Sequence, residues 1–193
     1  MKNQISKKVV IIGGGVAGLS AGVYARLAGF EAEIYEKNTI PGGECIGWNR
    51  KGYHIDNCIH WLTGTKKGTE LYDVWKTVGA LSDETEYAKV DSFYTSEYKG
   101  EVATLWNDLE RTEKELKALS PEDAEEIEKF IQYVEYSKQR LMCDYLPKSY
   151  CTYSFLVSYA TMADGNGNIP LGASLQMSLR MEKRFKELGG KIF

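Results

Sequence analysis

Apolar positions fall into two alternating regimes along the first forty residues. Lys7 to Ile12 is a short β-branched run without polar alternation, the pattern of a parallel strand buried on both faces. Val16 to Leu27 reads as a helix whose small residues, Ala17, Gly18, Ala21, Gly22 and Ala25, make a face able to lie close on a sheet. Gly29 follows as a C-terminal cap. Ala32 to Glu36 reads as a second strand, completing a β-α-β unit of about 30 residues.

Further on, Gly52 to Trp61 reads as extended. Glu70 to Val78 reads as a helix with Leu71, Val74, Trp75 and Val78 on its apolar face. Ser92 to Trp106 reads as a hairpin turning at Lys99-Gly100. Asp108 to Leu119 predicts a charged helix with Leu109, Leu116 and Leu119 inward. Ser120-Pro121 then predicts a new helix start, Ser as N-cap and Pro at the first helical position, with Ile127, Phe130, Ile131, Val134 and Leu141 as its stripe. Tyr150 to Met162 reads as a buried helix or a substrate-facing wall, and residues 164–168 as a loop. Ala173 to Leu188 predicts a helix closed by Gly189-Gly190, and residues 191–193 begin another strand.

The glycines after the first strand carry the chemistry. Gly13-Gly14-Gly15-Val16-Ala17-Gly18 fits G-x-G-x-x-G, placed between a strand and a helix, with an acid ending the next strand. Gly13 permits the tight turn, Gly15 lets a pyrophosphate approach the backbone, and Gly18 lets helix and strand pack closely. The helix N-terminus offers N–H groups and partial positive charge to phosphates. Glu36, about 20 residues on, is placed to bind ribose hydroxyls and would repel a 2′-phosphate, which disfavours NADP. Both NAD and FAD use this fold.

Composition narrows the partners. With 24 Lys+Arg against 27 Asp+Glu, the net charge of −3 argues against nucleic acid. No segment reaches the roughly 18 apolar residues of a spanning helix, which leaves peripheral membrane contact open. No signal peptide is evident, so a cytoplasmic location with reduced thiols is expected. The four cysteines, Cys45, Cys58, Cys143 and Cys151, have no C-x-x-C spacing.

The stretch YEKNTIPGGECIGWNRKGYHIDNCIHWL resembles the N-terminal region of the flavin-dependent phytoene desaturase and carotenoid isomerase-like oxidoreductases, a branch of the FAD-dependent amine oxidase group. In that family an acid ends the second strand, a GG pair follows near the flavin phosphates, and a G-aromatic-x-apolar-D segment runs toward the isoalloxazine. Here these are Glu36, Gly42-Gly43, and Gly52-Tyr53-His54-Ile55-Asp56. GNGNIPLGASLQMSLRMEKRFKELGGKIF resembles a later loop, helix and GG of the family. The likeness covers residues 7–64 and 165–193, and the middle only loosely. Glu44 stands where the family often has Arg, Cys58 where Gly is usual, and Ala173 where the loop's second Gly is usual. Family chains are much longer and carry more substrate domain, and the junction from Ser137 to Met142 is consistent with an internal deletion.

The resemblance implies an α/β fold: a Rossmann-like FAD-binding domain with a parallel sheet from residues 1–64 and 165–193, and a partial α+β cap or substrate region over 65–164. It implies FAD as cofactor and hydride transfer with an apolar, polyene-like small molecule. The candidate cofactor-binding residues are Gly13, Gly15, Val16, Ala17, Gly18, Glu36, Lys37, Gly42 and Gly43. Two alternatives stay open, a truncated non-catalytic nucleotide-binding fragment that needs a partner, and an NAD-dependent enzyme.

Other constellations carry less. A strand over Tyr53–Trp61 would put His54, Asp56, Cys58 and His60 on one face, but four ligands along one strand span too far for a single ion, so no metal site is expected. Cys45 reads as an ordinary thiol, with a redox role beside a flavin as the alternative. The charge run from Asp108 to Lys129 reads as a solvated helical face. Tyr150, Tyr153, Phe155 and Tyr159 read as core packing, with a substrate channel as the alternative. With His54 and His60 the only histidines, no triad and no general base is nominated.

Overall fold

The computed structural model describes residues 7–56, 58–138 and 150–193, with the side chains of residues 150–153 outside that description. Along the chain run β1 (Lys8–Ile12), α1 (Val16–Leu27), β2 (Glu31–Tyr35), β3 (Gly47–Arg50), β4 (Tyr53–Asp56), β5 (Leu62–Thr63), α2 (Glu70–Thr77) and β6 (Tyr87–Ala88). Then come β7 (Ser92–Tyr98), β8 (Glu101–Trp106), α3 (Leu109–Leu119), a 3₁₀ turn (Pro121–Asp123), α4 (Ala124–Lys138), α5 (Tyr150–Ala163), β9 (Gly167–Pro170), α6 (Ala173–Glu187) and β10 (Lys191–Ile192). The chain packs as two compact units, Met1–Ala88 with Ile169–Phe193, and Lys89–Asn168. The junction from Ser137 to Met142 lies mostly outside the described residues, as do Leu141 and Cys143.

The first unit is built on a parallel sheet in the order β1-β2-β10, with Ile11 opposite Ile34 and Ile34 opposite Ile192. Those three isoleucines share a face. On it α1 and α6 deposit Leu19, Val23, Met177, Met181 and Phe185, all fully or almost fully buried with Ile34. The small-residue face of α1 permits this approach: a Cβ on Gly22 would lie 2.8 Å from the Phe185 ring and 3.1 Å from Ile34. The α/β Rossmann-like class is thus as the sequence implies.

Burial of β1 on both faces is not. Val10 is 56% and Ile12 83% exposed, because among the described residues α1 and α6 cover the opposite face of the sheet. The apolar run therefore marks one packed and one open surface. The face of α2 also differs from expectation: Tyr72 and Val78 are buried and Trp75 partly so, while Leu71 and Val74 point outward. A hydrogen bond from Trp75 Nε1 to Thr63 O (2.9 Å) and one from Tyr72 Oη to Ser82 O (3.2 Å) fix that rotation. Tyr72 thus carries a buried ring with a satisfied hydroxyl that a purely apolar template overlooks.

β3 and β4 form a hairpin through Lys51-Gly52, both at positive φ (49° and 82°), as a two-residue primed turn requires. The extended reading of Gly52 to Trp61 holds only as far as Asp56. There the Asp56 carboxylate accepts the N–H groups of Cys58 (3.0 Å) and Ile59 (3.1 Å), turning the chain out of the strand.

In the second unit, β7 and β8 pair antiparallel around Lys99-Gly100 as expected. Asp108 caps α3 by accepting Arg111 N–H at 3.1 Å. The inward face of α3 is Leu109 and Thr112 rather than Leu109, Leu116 and Leu119; Leu119 is 49% exposed. Thr112 is drawn in because its hydroxyl meets Tyr159 Oη at 2.8 Å. Ser120 does not cap a helix N–H; its hydroxyl donates to Asp123 Oδ2 (2.7 Å) beside the 3₁₀ turn that Pro121 opens. Tyr159 is a core residue, its ring 5.3 Å from Phe93 and 6.0 Å from Phe130. The charged faces of α3 and α4 carry exposed pairs such as Lys129–Glu125 and Lys117–Glu128. Among the described residues no helix is long and apolar enough to cross a membrane.

Candidate nucleotide-binding site

The chain leaving β1 turns at Gly13, whose φ of +96° is left-handed and favours glycine, and whose N–H donates to Tyr35 O at 2.8 Å. α1 starts immediately after. Gly15 is its N-cap in extended backbone and supplies no capping side chain, and no acid sits in the first turn. The first intrahelical bond is Leu19 N–H to Gly15 O. The N–H groups of Val16, Ala17 and Gly18 precede it and lack an intrahelical acceptor, so the helix end presents donors and partial positive charge. Gly18 sets the closeness of helix and turn: a Cβ there would collide with the carbonyl oxygen of Gly13 and lie 3.3 Å from Ile11.

Glu36, just past β2, faces this turn. Its Oε2 accepts Gly14 N–H at 2.6 Å, and its Oε1 accepts Asn38 N–H at 2.9 Å and Asn38 Nδ2 at 3.0 Å. The Asn38 backbone bond, followed by that from Gly14, holds the carboxyl below the usual glutamate range. It is therefore an anion at neutral pH, and three donors leave it acceptor capacity for a hydroxyl. The second glycine pair closes the group. Gly42 N–H donates to Gly14 O at 2.8 Å, Gly15 and Gly42 form a parallel bridge, and a Cβ on Gly43 would sit 3.3 Å from Gly15 Cα. Gly42 has φ +134°, and a Cβ on it would meet Cys45 O at 2.7 Å and Ser178 Oγ at 2.8 Å.

The fold thus gathers Gly13, Gly15, Val16, Ala17, Gly18, Glu36, Gly42 and Gly43 around one helix end, with Lys37 exposed beside it. A glycine cradle, an uncapped helix N-terminus and an anionic carboxylate match the phosphates and ribose of a dinucleotide. Sequence reasoning missed Gly14, Asn38 and Ser178. The signal for Gly14 was present, since an acid after the second strand needs a donor on the facing turn. Ser178, on the distant helix α6, gave none.

The other expected face does not assemble. With β4 ending at Asp56, His54 Nδ1 meets Asn49 Oδ1 (3.0 Å) and the His60 ring meets Trp61 edge-on at 6.5 Å. Asp56 is committed to backbone and to Ser174. Among the described residues no three His, Cys, Asp or Glu side chains are grouped to hold a metal ion. Cys58 instead faces Cys45, sulfur to sulfur at 3.2 Å. Burial, then the bond with Cys58, pushes the Cys45 thiol up to about 12.

Residues 11–78 match the family model described as an NAD(P)-binding Rossmann-like domain. A 4,4'-diaponeurosporene oxygenase of Staphylococcus haemolyticus is 28% identical over 138 residues, covering 67% of this chain and 26% of that protein. A neurosporene-forming phytoene desaturase of Cereibacter sphaeroides is 28% identical over 127 residues, covering 65% and 24%. The chain thus spans about a quarter of the length of the curated relatives it matches. An oxidoreductase structure from Methanosarcina mazei superposes with a TM-score of 0.55 at 20% identity, over 96% of this chain and 50% of that one, a likeness of fold. The chain is thus similar in sequence to a diaponeurosporene oxygenase and a phytoene desaturase, carries a Rossmann-like nucleotide-binding region over residues 11–78, and shares its fold with a solved oxidoreductase.

Proposed function

We propose that this chain binds the ADP half of FAD and supplies the nucleotide-binding portion of an oxidoreductase acting on an apolar, polyene-like small molecule in the cytoplasm. The observation that carries the reading is the convergence of Glu36, Gly14, Gly15 and Gly42 at the N-terminus of α1. In this reading Gly13 to Gly18 and Gly42-Gly43 bind the pyrophosphate through backbone N–H groups, Glu36 binds the ribose hydroxyls, and Lys37 adds positive charge at the rim. The FAD-binding part lies in the unit of residues 1–88 and 169–193, so the cap is the unit of residues 89–168 and not the whole of 65–164. FAD, when bound, supplies the hydride acceptor, and the protein's part is to hold and orient it.

Titration with FAD, NAD⁺ and NADP⁺, followed by protein fluorescence and visible absorption, tests this. FAD is expected to bind most tightly. Glu36→Ala should weaken it by roughly tenfold or more, the worth of hydrogen bonds to a charged group. Unchanged FAD affinity in Glu36→Ala, or tighter binding of NAD⁺ than of FAD, overturns the reading.

A further inference from the structure

Cys45 and Cys58 lie 13 residues apart in sequence, without any motif spacing, yet their sulfurs are 3.2 Å apart. Each is set on a fastened backbone. Cys45 N–H donates to Gly42 O at 3.0 Å and Cys45 O accepts Ser178 Oγ at 2.6 Å. Cys58 N–H donates to Asp56 Oδ1, and Asp56 is itself bonded to Ser174. A cavity of about 380 Å³ is lined by Gly43, Glu44, Ile46, Trp48 and Cys58, so Cys58 borders space that a small molecule can enter. Cys45 does not line it.

We propose that Cys45 and Cys58 are a reversible dithiol–disulfide pair that exchanges with low-molecular-weight disulfides entering this cavity, Cys58 reacting first and Cys45 second. Closure needs the sulfurs to approach by about 1.2 Å, to the roughly 2.05 Å of a disulfide, from their 3.2 Å separation. With oxidised glutathione as oxidant, the Cys58 thiolate attacks one glutathione sulfur, breaks its S–S bond and releases one glutathione thiolate, which takes up a proton. Cys45 then gives its proton to solvent. Its sulfur attacks Cys58 Sγ, forms the Cys45–Cys58 bond and displaces the second glutathione. Two protein thiols are oxidised and one small disulfide is reduced. The order follows from access, and the raised Cys45 thiol, kept protonated at neutral pH, agrees with it.

The product would cross-link the loop bearing Gly42-Gly43 to the chain leaving β4. The pair would then fix the glycine loop that touches Gly15, in a manner dependent on the thiol–disulfide balance around the protein.

Reduced, desalted protein is incubated with oxidised glutathione, alkylated and mapped by peptide mass spectrometry. The expected product is a Cys45–Cys58 linked peptide, lighter by two hydrogens and restored by dithiothreitol. Cys45→Ser, in turn, should hold glutathione as a stable adduct on Cys58. Three outcomes overturn the proposal: both thiols remaining alkylatable, a persistent glutathione adduct on Cys58 of the unaltered chain, or linkage of either residue to Cys143 or Cys151 instead. None of these readouts depends on FAD binding.

Discussion

Asp56 and Ser174, 118 positions apart, are joined twice: Ser174 N–H donates to Oδ2 at 2.6 Å and Ser174 Oγ donates to Oδ1 at 2.8 Å. Ser174 lies in the first turn of α6, whose N-cap, Gly172, has no side chain to offer. Asp56 therefore caps α6 from a distant loop, satisfying an orphan N–H and placing a negative charge at the positive helix end.

That role gives the site an acid dependence. Burial alone would raise the Asp56 carboxyl, but bonds from Cys58 N–H, from Ser174 and from Ile59 N–H outweigh it and hold it below the usual aspartate value. A depressed folded value means the stabilisation is fully present above the unfolded value of about 4 and is lost as pH falls through the lower folded one. Glu36 acts in the same sense. Urea midpoints should therefore be level near neutrality and decline below about pH 4. Asp56→Asn should lower the neutral plateau and flatten the acid limb. An unchanged limb in that variant counts against the assignment.

Ala173 opens α6 at φ +46°, a left-handed conformation that costs a residue with a Cβ about 1–2 kcal/mol. Ala173→Gly should accordingly stabilise the protein by about 1 kcal/mol in denaturant titration, and Ala173→Val should destabilise it.

Phe185 is fully buried between α1 and the sheet, with Gly22 and Gly190 pressed against its ring. Phe185→Ala should cost about 3–5 kcal/mol in denaturant unfolding. Gly22→Val should cost about 1–3 kcal/mol from the opposite cause, an added side chain where none fits. Both act on the first unit.

In the second unit Tyr159 Oη donates to Trp106 O at 2.6 Å and meets Thr112 Oγ1 at 2.8 Å. Tyr159→Phe keeps the ring packing and removes both bonds, so a loss of about 1–2 kcal/mol is expected in thermal or urea unfolding.

The β-α-β unit and its glycines were legible because each local signal there agrees with the next: strand, turn, helix, strand, acid. The helix faces of α2 and α3 were less so. Tyr72 and Thr112 are buried through their hydroxyls, and a polar atom satisfied by a distant carbonyl or tyrosine leaves no trace in periodicity. The open face of β1 escaped for another reason: an apolar run reports side-chain chemistry and not how many layers cover it. The meeting of Cys45 with Cys58 depends on the turn that Asp56 imposes, and the bond from Ser178 to Cys45 on the return of α6. Both are tertiary facts with no spacing to announce them.

The return of α6 has a consequence for biosynthesis. Its residues are made after all of residues 89–168, yet Met177, Met181 and Phe185 cover Leu19, Val23 and Ile34 and Ser178 anchors the glycine loop. At about 5–20 residues per second, the ribosome holds that apolar surface open for several seconds. Through that interval the nascent chain offers a ready surface to chaperones, and the nucleotide cradle closes only once residues 173–187 have emerged.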